Sequence, residues 1–162
     1  MYVNKKFYII PGWRDTCKEK QYQLLANSVR KKGYEVICKD IDWNKKLSDQ
    51  FFPIEKNSVI FGFSIGAILA RLIVQKYKCK LVILASMTPL VHFRGGEPEK
   101  LLIDTIGKEL VDDVKENLKS DIKASRKMVM YGDKEDESGD IIVPDTDHEI
   151  TSNYIKEVVK II

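Results

Sequence analysis

In the segment SVIFGFSIGAILARLIVQ, residues 58–75, Gly62 and Gly66 stand two residues either side of Ser64. Ser58 to Phe63 reads as a buried strand, and from Ser64 onward Ile68, Leu69, Leu72 and Ile73 recur at helical spacing. A serine at such a strand-to-helix turn is forced into strained backbone angles, and flanking glycines omit side chains that would collide. Its hydroxyl then stands clear of the sheet edge, above a helix N-terminus that favours developing negative charge. That is the setting of a nucleophile. The G-x-S-x-G pattern alone arises by chance in about one chain in twenty of this length. A serine here also suits a plain helix N-cap, with the glycines serving only close packing.

A serine nucleophile needs a base, and the chain holds two histidines, His92 and His148. His148, in PDTDHEITS, follows the last expected strand and precedes the last helix. In a parallel sheet this brings it to the same carboxyl edge as Ser64. His92 has no strand-borne acid between it and the serine, and it reads as a surface or cap residue. A carboxylate must then orient the imidazole and stabilise its protonated form. The stretch MYGDKEDESG after the fifth strand offers Asp133, Glu135 and Asp136, of which at most one serves. The oxyanion needs two backbone donors. The amide of Ile65 follows from the turn itself. The second falls in IIPGWRDT, where Gly12 permits a close turn and the Trp13 amide is the candidate, although Trp13 reads equally as an anchoring aromatic.

The elements that must position these groups alternate short apolar runs with helical stretches. Strands are expected at KFYIIPGW, ended by its Pro-Gly turn, and at 34–41, 58–63, 80–86, 126–132 and 140–144. Helices are expected at 18–32, 64–77 and 152–161, the first stopped by Gly33. Continuous apolar strands argue for a sheet covered on both faces. The alternation with helices predicts an α/β fold, a doubly wound, mostly parallel sheet of about six strands. Residues 87–125 form an excursion that opens with MTPLVHFRGGEPEK. It continues as one amphipathic helix through Ile103, Ile106, Leu110, Val114 and Leu118. As a cap over the site, the excursion would offer Leu90, Val91 and Phe93 to substrate, with Arg94 facing any anionic group; as a core element it would not. The whole chain, 1–162, reads as one domain.

Composition narrows the function classes. Of 162 residues, 27 are basic and 24 acidic, dispersed along the chain, which gives no stripe for nucleic-acid phosphates. The first ten residues hold only a four-residue apolar run before Pro11, too short for a membrane span or a signal peptide. Cys17, Cys38 and Cys79 are odd in number and lack C-x-x-C spacing. Neither a disulfide framework nor a zinc site is expected, no cofactor is implied, and a reducing, cytoplasmic setting follows.

Together the Pro-Gly turn, GFSIG, LVILASMTPL, YGDKED and DTDHEI resemble the α/β-hydrolase family over nearly the whole chain, in particular its small single-domain members. The resemblance implies a covalent acyl-serine mechanism on an ester or thioester, with Ser64 as nucleophile and His148 as general base and then acid. In that family the acid stands three residues past the glycine ending the penultimate core strand. Counting from Gly132 gives Glu135, where an aspartate is commoner; Asp136 fits with one inserted residue and Asp133 with a shorter loop. A departure also stands out. About eight residues separate Tyr131 from Asp140, short of the dozen or so a helical crossover needs, so the last strand is expected to pair antiparallel or to follow an irregular crossover. A protein that keeps this fold and only binds is the alternative from another class.

Overall fold

The computed structural model describes residues 5–162. Six strands, β1 (Lys5–Ile10), β2 (Tyr34–Cys38), β3 (Val59–Phe63), β4 (Cys79–Ala85), β5 (Ala124–Gly132) and β6 (Ile141–Val143), form one sheet in the order β2-β1-β3-β4-β5-β6. Every pairing is parallel. Five helices cover it: α1 (Lys20–Arg30), α2 (Ile65–Lys76), α3 (Gly96–Ile106), α4 (Lys108–Asn117) and α5 (Ser152–Ile161).

Because successive side chains of a strand face opposite ways, β1 divides its apolar residues between two cores. Phe7 and Ile9 pack with Tyr22, Leu25 and Val29 of α1 and with Tyr154 and Val158 of α5. Tyr8 and Ile10 pack on the other face, with α2 and with Leu102, Ile106, Leu110 and Val114 of the excursion. Both faces are therefore dry, as the unbroken apolar strands predict. Burying each large side chain of this kind stabilises the fold by about 1.5–3 kcal/mol. Arg71 of α2 is buried and turned to the end of the excursion, where Nη2 donates to the carbonyls of Lys119 and Ser120 at 3.2 and 3.3 Å.

Two expectations are corrected, and one left with two alternatives is decided. The single helix expected in the excursion is two, α3 and α4, broken at Gly107 with φ of 90°, a left-handed angle that ends the first helix. Of the two courses expected for the last strand, the irregular crossover is the one found: β6 is parallel to β5 and no helix intervenes. The short crossover succeeds because the chain doubles back along the edge of β5: Asp140 accepts from the Val129 amide at 2.8 Å, and a Cβ on Gly139 would lie 2.7 Å from the Val129 carbonyl oxygen. Finally, Cys17 and Cys38 are joined in a disulfide across 21 residues, while Cys79 is free and buried. The sequence argument for a reducing setting rested on unpaired cysteines, and that ground is gone. Among the described residues no helix is long and apolar enough to cross a membrane.

Candidate active site

The turn after β3 places Ser64 at φ 56° and ψ −121°, outside the regions that a non-glycine residue ordinarily occupies. Its side chain caps nothing on α2, so the plain N-cap reading fails. The glycines act on backbone clearance. A Cβ on Gly62 would lie 2.3 Å from the Gly66 carbonyl oxygen, and one on Gly66 would lie 2.2 Å from that of Pro11. Gly62 thus lets β3 pass under the first turn of α2, and Gly66 lets α2 press against the exit of β1.

His148 hangs from the loop after β6. Its Nε2 lies 3.0 Å from Ser64 Oγ, and its Nδ1 lies 2.8 Å from Glu135 Oε1. With the proton on Nδ1, the ring donates to the carboxylate and Nε2 accepts from the serine hydroxyl. The Phe63 ring flanks the imidazole, with centroids 5.1 Å apart. The Glu135 side chain is 9% exposed and that of His148 is 51%, so one end of the chain of hydrogen bonds is enclosed and the other meets solvent.

The three candidate acids separate cleanly. Glu135 reaches the histidine. Asp133 instead accepts from the Asp145 and Thr146 amides at 3.0 and 2.9 Å, shaping the loop that carries His148. Those two bonds, that of Thr146 first, hold its carboxyl below its ordinary range. Asp136 is exposed.

In the loop after β1, the Gly12 amide donates to the Tyr22 hydroxyl at 2.9 Å, and that hydroxyl donates to Asp15 Oδ2 at 2.6 Å. Burial first, and then the bond to Asp15, push the Tyr22 hydroxyl far above its ordinary range, so it stays a neutral donor. With Gly12 engaged, the next amide, that of Trp13, has no protein acceptor among the described residues. Ile65 is the first residue of α2, where a helix leaves its amide without an intrahelical acceptor. The Trp13 ring packs edge-on against Trp43 at 4.7 Å, so the residue is also the anchor that the sequence allowed.

Ser64 lies at the meeting of two clefts. One, of about 400 Å³, is lined by Trp13, Phe63, Ile65, Leu102 and Ile106, with Asp15 and Glu149 among its polar residues. The other, of about 330 Å³, is lined by His92, Tyr131, Asp136 and Glu137 among others. Leu90 and Phe93, expected along the substrate cleft, line neither; Phe93 is buried in the core and Leu90 packs against it. The excursion reaches the cleft through α3 instead. Arg94 is exposed and lines neither cleft. The sequence reading also passed over Tyr22 and Asp15. Their only signal is a tyrosine one turn into the first helix, which any buried aromatic would give. Among the described residues no group of three or more His, Cys, Asp or Glu is placed to hold a metal ion.

No family model matches the chain, and no curated protein matches it. Solved structures do. Mouse alpha/beta hydrolase domain-containing protein 10 superposes with a TM-score of 0.66 at 13% identity, over 96% of this chain and 86% of that one. Est1E from Butyrivibrio proteoclasticus gives 0.63 at 12% identity, over 97% and 84%. A protein of Agrobacterium vitis S4 gives 0.67 at 13%, over 96% and 86%. At such identities the likeness speaks for architecture, and with the strand order and the turn at Ser64 it establishes that this chain has the α/β-hydrolase fold.

Proposed function

We propose that the protein is a serine hydrolase that cleaves a carboxylic ester or thioester through an acyl-serine intermediate. The observation that carries this reading is the continuous hydrogen-bonded line from Ser64, in its strained turn, through His148 to Glu135, at 3.0 and 2.8 Å. His148 takes the hydroxyl proton as Ser64 Oγ attacks the carbonyl carbon, and Glu135 stabilises the resulting imidazolium. The amides of Ile65 and Trp13 receive the oxyanion. His148 returns the proton to the leaving alcohol or thiol, then activates the water that frees the acid. The apolar cleft of Trp13, Phe63, Leu102 and Ile106 suits the acyl part of a small-molecule substrate.

A fluorophosphonate probe tests the reading. The native protein is expected to gain one covalent label, lost in Ser64→Ala, with turnover across a panel of acyl esters and thioesters. A folded native protein that takes no label and turns over no ester in the panel would overturn it, leaving a binding protein of the same fold.

A further inference from the structure

The residue after β4, Ser86, is buried to 1% exposure and holds a left-handed φ of 43°. Both are costly for a serine at a strand end. A non-glycine residue persists at such an angle only where its surroundings over-determine it, and a buried hydroxyl needs a partner. Ser86 has three contacts. Its amide donates to the Met130 carbonyl at 2.7 Å, which extends the β4–β5 ladder by one bond. Its Oγ lies 2.7 Å from Glu135 Oε2 and 3.2 Å from the Tyr154 hydroxyl oxygen. The hydroxyl has one proton, and the shorter, charge-assisted contact claims it, so Ser86 donates to the carboxylate. Tyr154 in turn donates to the Met130 carbonyl at 2.9 Å. Burial pushes the Tyr154 hydroxyl well above its ordinary range, so it stays protonated.

Glu135 thus uses its two oxygens differently. Oε1 faces His148, while Oε2 accepts from the Gly132 amide and from Ser86 Oγ, both at 2.7 Å. A glutamate has one more rotatable bond than an aspartate, and an unheld carboxylate samples orientations that miss the imidazole. The amide bond fixes Oε2 along one direction, and the hydroxyl fixes it along a second. Two donors on Oε2 set the plane of the carboxylate, which in turn sets where Oε1 points.

We propose that Ser86 is a positioning residue that clamps Glu135 so that it can orient His148. This rests on the serine-hydrolase reading above. Ser86 touches neither the reacting atoms nor Nδ1, and acts only through the acid.

The test is a double-mutant cycle on ester turnover by the full chain, run once the native protein has been shown to hydrolyse an activated ester. If it does not, the hydrolase reading fails and the clamp is refuted with it. Given turnover, Ser86→Ala is expected to lower kcat about tenfold with KM unchanged, as for loss of a hydrogen bond to a charged group. In a Glu135→Ala background the same change should cost less than about twofold, because its target is gone. Ser86→Gly should lose the same kcat as Ser86→Ala while relieving the backbone angle, so the two should differ in melting temperature and agree in rate. Both remaining acceptors keep a partner, Glu135 Oε2 from Gly132 and Met130 O from Tyr154, so these variants are expected to fold. Equal losses from Ser86→Ala with and without Glu135, or no loss at all, would overturn the clamp. So would a rate that follows the melting temperature from Ala to Gly.

Discussion

Two stations on the carboxyl edge of the sheet meet at Ser64 Oγ, and they are held by different forces. At the centre, the serine turn is fixed by backbone lying on backbone: Gly62 against α2, and Gly66 against Pro11. At the β5–β6 edge, Glu135 and His148 are fixed by side-chain hydrogen bonds, those of Ser86, Asp133 and the Gly132 amide. The first kind of support tolerates no added atom. The second is a set of separable contacts, each removable at a graded loss. A sheet centre with neighbours on both sides leaves no room for adjustment, whereas an edge strand three residues long leaves its loops to organise themselves.

Substitutions can break or sharpen this contrast. The largest loss is expected from His148→Ala, which removes the base and should lower kcat about 10⁴-fold or more, measured on an activated ester. His92→Ala should cost less than about tenfold on the same assay; comparable losses would reassign the base. Next comes Gly66→Ala. Its new Cβ would overlap the Pro11 carbonyl, so destabilisation of about 3 kcal/mol or more is expected in denaturant titrations, together with loss of fluorophosphonate labelling. If that variant folded and labelled normally, the steric account of the centre would fail.

At the edge, effects should be graded. Glu135→Asp shortens the reach by one methylene, so the carboxylate cannot satisfy Ser86, Gly132 and His148 together, and kcat should fall about tenfold to a hundredfold with KM little changed. Asp133→Asn should act on stability through pH. The Asp133 carboxyl is held below its ordinary 3.8 by the Thr146 and Asp145 amides, so its stabilising effect is present above that value and is lost as pH falls through the lower folded one. The variant should therefore melt lower near neutrality, with a flatter acid limb that converges on the native profile at low pH. The smallest effect should come from Asp136→Ala, within about twofold in kcat; a larger loss would mean that the wrong carboxylate has been assigned.

The same contrast explains what could be read from the sequence. Backbone-determined features leave strong marks, because only glycine satisfies them. The strand–Gly–x–Ser–x–Gly–helix pattern, the parallel sheet and the place of His148 after the last strand were all legible. Side-chain contacts leave none: a serine after LVILA is an ordinary residue until the fold brings it to Glu135. Glu135, the acid of the proposed mechanism, could be reached only by counting from Gly132. Leu90 and Phe93 are apolar residues close to the site in sequence, but Phe93 is buried in the core and Leu90 packs against it. The cysteine pair was illegible because Cys17 and Cys38 share no motif spacing; β1 and β2, paired side by side, bring their following segments together.

The three-residue β6 has a further consequence. It is the last strand of the sheet, bonded on one side only, and Ile142 in its middle is 47% exposed. The loop carrying His148 leaves directly from its end. Segments with few buried contacts open locally at a free energy below that of global unfolding. Amide protons of β6 should accordingly exchange faster than those of β3, and heating should silence the protein while most of its sheet is still intact. Thermal loss of the proposed ester turnover would then precede the loss of circular dichroism signal, and the gap between the two curves would measure how loosely the histidine's strand is tied to the rest.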